Sequence, residues 1–178
     1  NIVPENFVAP LQKLTQVVLK NVIALAPYDF ITQNQVLPAK YSKNIFYAGS
    51  LVKFPRLQNI DFKLTVYGEK NFSSIDINNS NIVNGGFMPA EDLASNLNAG
   101  FGLIWDEDKN NSDRQTYTKW NWPYKFSLYM VAGLPVVAWS GSAISDFIKL
   151  AHVGVVVDNL AQVTDELDKI TELEFNQM

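Results

Sequence analysis

The sequence predicts an α/β fold built on a doubly wound parallel sheet, and three observations point to it. Apolar runs bounded by turn residues alternate along the chain with segments of helical periodicity. Most of those runs lack polar–apolar alternation, the pattern of strands buried on both faces. Glycines close several of them, at Gly49, Gly68 and the Gly85-Gly86 pair, and a glycine there permits a sharp turn or a close approach to a ligand. In such sheets ligands bind beyond the carboxyl ends of the strands.

Each element has a local reason. Residues 7–20 read as a helix and 21–26 as a strand, followed by a polar stretch, 27–43, that holds Pro27 and Pro38. Strands are expected over 44–48, 62–67, 100–105, 135–139 and 153–157. Between them, 89–98 opens with Pro89, Glu91 and Asp92 and sets Leu93 and Leu97 on one face; 123–132 stops at Gly133; 142–151 begins with a serine cap. Residues 106–119 are polar and aperiodic, a surface loop, and 78–84 form an asparagine-rich patch. Two regions are expected: a connector and remnant of an upstream domain over 1–40, and a Rossmann-like domain over 41–178.

Composition narrows the function. With 178 residues and 47% hydrophobic content the chain can bury a core without cross-links. It has no cysteine, hence no disulfide, thiolate metal site or thiol nucleophile. Fourteen basic residues against eighteen acidic ones leave a net charge of −4 with no basic stripe, which speaks against nucleic acid. The apolar run at 17–26 is interrupted by Lys20 and Asn21 and falls short of the roughly 20 residues a membrane helix needs. The chain opens at Asn1 without a basic leader and reads as a piece cut from something longer, and the absence of cysteine fits a reducing compartment such as the cytoplasm.

The chemistry concentrates in Asn121-Trp-Pro-Tyr-Lys125-Phe-Ser127-Leu-Tyr129. Asn121 reads as an N-cap and Pro123 as a first-turn residue, so unpaired backbone donors should face Lys125. Asn121, Lys125 and Tyr129 are spaced by four and share a helical face, an arrangement that suits a phosphate. Lys53, four residues past Gly49, could meet the same anion. Gly100-Phe-Gly102 lacks the third glycine of a dinucleotide fingerprint, so NAD is not suggested. Asp106-Glu107-Asp108 has a metal-compatible D-x-D spacing, but opening a polar loop it reads as a solvated acidic turn. His152, the single histidine, reads as a helix-end residue rather than a catalyst. Trp120, Trp122 and Tyr124 offer stacking surfaces, whereas Trp105 and Trp139 end buried strands.

Tyr47-Ala-Gly-Ser-Leu-Val-Lys53, Leu64-Thr-Val-Tyr-Gly68, Gly86-Phe-Met-Pro89, Gly100-Phe-Gly-Leu-Ile-Trp105, the 121–129 segment and Ala132-Gly-Leu-Pro-Val-Val-Ala138 follow one another in the order of a known family. On these motifs, from about residue 41 to about 160, the chain resembles the carboxyl-terminal, donor-binding domain of bacterial GT-B glycosyltransferases. The nearer likeness is to the glucosyltransferase-3 type and galactofuranosyltransferase-like enzymes.

That resemblance implies two Rossmann-like domains facing across a cleft, with a nucleotide diphosphate sugar, a UDP-sugar, as substrate and no metal or other cofactor. Gly49 and Lys53 would sit in the first loop of the cleft and Tyr67 and Gly68 near the base. Asn121, Lys125, Ser127 and Tyr129 would surround the diphosphate, with Lys125 acting on the leaving group. The acceptor would be a glycan or glycoprotein hydroxyl. The segment lacks the paired glutamates of many retaining relatives, so no catalytic carboxylate carries over. A noncatalytic partner subunit that keeps the fold for protein association, and a homo-oligomer, stay open.

Overall fold

The computed structural model describes residues 2–4, 8–16, 18, 20, 22–25, 27–50, 60–68, 79–107 and 113–178. Near the start, β1 (Ile2–Pro4) and β2 (Ile23–Leu25) pair in parallel on either side of α1 (Val8–Thr15), a small sheet of their own. The segment 27–39 then runs without regular structure to β3 (Lys40–Ala48).

Among the described residues six strands form the main sheet: β3, β4 (Leu64–Tyr67), β5 (Ile82–Gly86), β6 (Ala99–Ile104), β7 (Val136–Trp139) and β8 (Gly154–Val157). All neighbouring pairs are parallel, in the order β5-β4-β3-β6-β7-β8. The chain therefore grows outward from β3 in one direction and, starting again at β6, in the other. The β3/β6 boundary is the topological switch point of a Rossmann-like sheet, where the connections on either side part and leave a crevice.

The central strands β6 and β7 are buried on both faces, as their unbroken apolar runs require. Ile45, Tyr47, Phe101, Leu103 and Val137 pack into one core, closed by Val163 and Leu167 of α6 (Val163–Asp168) and Phe175 of α7 (Glu172–Phe175). On the opposite face Ile104, Val136 and Ala138 meet Leu93 of α2 (Ala90–Asn96), Phe126 and Tyr129 of α4 (Tyr124–Val131), and Ile148 of α5 (Ser145–Ala151). Successive strand residues thus serve opposite cores, the period of two that a pleated strand imposes.

Several elements differ from expectation. Strand β5 emerges partly from the asparagine-rich patch, because pairing with β4 supplies the order that Val83-Asn84-Gly85-Gly86 lacks locally. The loop expected over 106–119 contains α3 (Asp113–Tyr117). The carboxyl-terminal helices α6 and α7, absent from the expected elements, follow a 3-10 turn at Leu160–Gln162; capping boxes, Asn159 with Gln162 and Thr171 with Glu174, start that turn and α7. His152 closes α5 in the left-handed conformation, φ 55°. Among the described residues no helix is long and apolar enough to cross a membrane.

Candidate active-site pocket

A pocket of about 660 Å³ opens at the carboxyl ends of β3, β4 and β6, at the switch point. Its floor is backbone. Gly49 N–H donates to the Tyr67 carbonyl at 2.8 Å and Gly68 N–H to the Gly86 carbonyl at 3.0 Å, carrying the ladder past the strand ends. Gly68 adopts φ 101°, a region where a side chain would strain the backbone. Tyr67 forms the adjoining wall: its ring lies so close to Gly85 that a Cβ there would fall 2.6 Å from it. Met88 and Leu93 add apolar surface.

Helix α4 forms the opposite wall. Its N-cap is Pro123 (φ −75°, ψ 135°), and no side chain caps the first turn. This corrects the expected role of Asn121, whose own N–H instead donates to the Tyr117 carbonyl at 3.1 Å and finishes the turn after α3. Extended backbone at Pro123 makes it the half-in residue, so the helix begins two positions later than a cap at Asn121 requires. Asn121 still lines the pocket, as does Tyr124, which packs against Phe30 with ring centroids 5.3 Å apart.

Lys125, in the first turn of α4, reaches into the pocket between two partners. Its Nζ lies 3.0 Å from Asp106 Oδ1 and 4.2 Å from the centroid of the Tyr47 ring. The Tyr47 hydroxyl, on a fully buried side chain, donates to the same Asp106 oxygen at 3.2 Å. Three elements, β3, the end of β6 and α4, therefore meet on one carboxylate. The two charged side chains keep only 13% and 20% of their exposure, so their attraction is less screened than that of a surface pair.

That carboxylate belongs to the acidic triplet expected to be a solvated turn. Neither Asp106 nor Glu107 is freely solvated: Asp106 is partly buried and lines the pocket, and Glu107, buried, accepts from Trp105 Nε1 at 2.8 Å. The end of an apolar strand draws its next residues into the protein, an effect that loop composition hides. Asp108 lies outside the described residues, as does Lys53. Among the described residues no group of His, Cys, Asp and Glu is arranged to hold a metal ion.

Two further expectations need correction. Tyr129 is fully buried, and its hydroxyl accepts from Ala48 N–H at 2.8 Å while facing the carbonyls of Phe46 (3.2 Å) and Leu103 (3.3 Å). Burial pushes its phenol well above the usual value. It anchors α4 to the ends of β3 and β6 and has no face for a ligand. Ser127 is also buried and donates to the Tyr28 carbonyl, tying α4 to the 27–39 segment. A helix repeats every 3.6 residues, so Tyr129 rotates inward from the Lys125 direction although the four-residue spacing holds. Trp122, read as a stacking surface, is buried edge-on against Phe126 and Phe147.

Gly49, Tyr67, Gly68, Asn121 and Lys125 thus converge on one pocket, and Ser127 and Tyr129 do not. Sequence reasoning set Asp106 aside as part of a solvated turn, although a carboxylate directly after an unbroken apolar strand is a usable signal. Tyr117 and Leu128, also in the lining, carry no such signal.

Known proteins place this geometry in a family. The profile of the glucosyltransferase 3-like C-terminal domain matches residues 45–178. The chain is similar to Glucosyltransferase 3 of Streptococcus gordonii, 28% identical over 156 residues that cover 85% of this chain and 44% of that protein. It is 24% identical over 180 residues to Glucosyltransferase 3 of Streptococcus parasanguinis, covering 96% and 52%. It is also 35% identical over 81 residues, 44% of this chain and 24% of its relative, to Beta-1,6-galactofuranosyltransferase WbbI of Escherichia coli K12. The chain spans about half the length of the two streptococcal relatives. With a profile match over most of its length and a Rossmann-like sheet that opens a pocket at the switch point, the chain belongs to the glucosyltransferase 3-like C-terminal domain family of glycosyltransferases.

Proposed function

We propose that this chain is the donor-binding half of a GT-B glycosyltransferase and holds a nucleoside-diphosphate sugar, UDP-linked, in the switch-point pocket. The observation that carries the reading is Lys125 in an uncapped first helical turn, facing glycine-lined strand ends across a space of about 660 Å³. A volume of that order suits a nucleotide-sized ligand. A second Rossmann-like domain, joined through residues 1–40, faces this pocket and presents a glycan or glycoprotein acceptor. No metal is required, and the reaction belongs to the cytoplasm, where nucleotide sugars are made.

In the transfer, the acceptor oxygen bonds to the anomeric carbon as the bond from that carbon to the β-phosphate oxygen breaks. The electron pair leaves with the nucleoside diphosphate, and the acceptor proton passes to a base outside the residues assigned here. Charge develops on the departing phosphate oxygen. The Lys125 ammonium and the first-turn N–H groups of α4 stabilise it more as the bond lengthens, the condition for lowering the barrier. Gly49 and Gly68 allow the nucleotide to lie against backbone, and Tyr67 borders the base.

Calorimetric titration with UDP, GDP and dTDP, repeated on Lys125→Ala, tests this reading. One diphosphate should bind, and the substitution should weaken it by about ten- to a hundredfold, the worth of a charge-assisted hydrogen bond. Absence of binding at millimolar concentration, or an unchanged affinity in the variant, overturns it.

A further inference from the structure

We infer that Asp106 is a positioning residue for Lys125 and that its charge holds down the affinity of the pocket for diphosphate. The inference rests on the donor-site reading above and adds to it a carboxylate which neither the sequence pattern nor the family resemblance assigns to the site.

A lysine has a long, flexible stem, and a free one spreads its ammonium over many positions. Here that spread is removed from two sides. The Tyr47 ring lies beneath Nζ at 4.2 Å from its centroid, and Asp106 Oδ1 receives Nζ at 3.0 Å. Asp106 is itself held, because the buried Tyr47 hydroxyl donates to the same oxygen at 3.2 Å.

The same arrangement has an electrostatic consequence. Lys125 and Asp106 together carry no net charge, and a diphosphate entering beside Lys125 also comes near a carboxylate. Attraction to one is partly offset by repulsion from the other, in a setting where screening is incomplete. The ground-state complex is thereby weakened, while the ammonium stays aimed at the oxygen on which charge grows during transfer. Tight binding of donor and product is not what raises turnover.

Asp106→Asn keeps the shape and the oxygen that accepts from Lys125 and Tyr47, and removes the charge. The test is titration of the chain and this variant with UDP and with UMP. The variant should bind UDP about three- to tenfold more tightly, with a smaller gain for UMP, which carries less charge. Tyr47→Phe supplies an independent arm. It removes the hydroxyl bond to Asp106, leaves the ring under Lys125 and strengthens the carboxylate's hold on the ammonium, so UDP should bind more weakly.

A merely structural role for Asp106 predicts weaker binding in Asp106→Asn, the opposite of the gain expected here. If the chain binds UDP and Asp106→Asn, still folded by circular dichroism, binds it equally or less tightly, the inference is overturned while the donor site stands. Should Asp106→Asn not fold, an unchanged UDP affinity in Tyr47→Phe overturns it instead. If the unaltered chain binds neither nucleotide, the donor-site reading falls and this inference falls with it.

Discussion

Substituting Gly102 by alanine should be among the most damaging single-methyl changes in this protein. Gly102 lies in β6, paired with Phe46 of β3 on one side and Val136 of β7 on the other. A Cβ there would fall 2.3 Å from Cδ2 and Cγ of Tyr129 and 2.7 Å from Cδ1. Ordinary carbon contacts begin near about 3.5 Å, so the ring must withdraw by about 1 Å. It cannot do so cheaply, because its hydroxyl is held by Ala48 N–H at 2.8 Å and faces two carbonyls. Overpacking costs about 1–3 kcal/mol and a buried donor left unmatched about 1–3 kcal/mol more, so a total near 3 kcal/mol is expected.

For a chain of this size that lowers the melting temperature by about 6–12 °C. Urea unfolding is the assay, with the midpoint falling and the slope unchanged. Tyr129 carries α4, and α4 carries Lys125, so nucleotide affinity should fall in the same variant even where it remains folded. A loss below about 0.5 kcal/mol would refute the reasoning, since it would mean that ring and strand can part without consequence.

Three other outcomes are expected. Tyr129→Phe leaves the Ala48 N–H without its acceptor and should cost about 1–3 kcal/mol in the same urea assay, with the fold retained. Ser127→Ala removes the tie to the Tyr28 carbonyl and should speed proteolytic cleavage within 27–39 while barely moving the main unfolding transition. Thr171→Ala should lower the melting temperature at neutral pH by fraying α7 around buried Phe175. There the Thr171 backbone N–H and hydroxyl hold the Glu174 carboxyl below its ordinary value. A carboxyl depressed in the folded state stabilises above its unfolded pKa and loses that contribution as pH falls through the folded one. The difference between Thr171→Ala and the unaltered chain should therefore shrink on acidification, as followed by circular dichroism melts.

Local physics made much of this protein legible in its sequence. Unbroken apolar runs such as 100–105 and 135–139 can be satisfied only between two layers, so a doubly covered parallel sheet followed from them. Glycines at strand ends, and a lysine in the first turn of a helix that opens at a proline, pointed to the pocket because both features depend on residues a few positions apart. What depends on distant partners was not legible. Strand β5 is ordered by its pairing with β4, against weak local preference. The strand order, which creates the switch point, is a matter of long-range pairing. Asp106 looked like part of a polar loop until β3 and α4 brought Tyr47 and Lys125 to it. Tyr129 looked like a ligand contact because its spacing from Lys125 was right, and only the position of Gly102 behind it shows that its ring turns into the core. Spacing along a chain determines which residues share a side of a helix, and only the packing of that helix decides whether the side meets solvent, ligand or sheet.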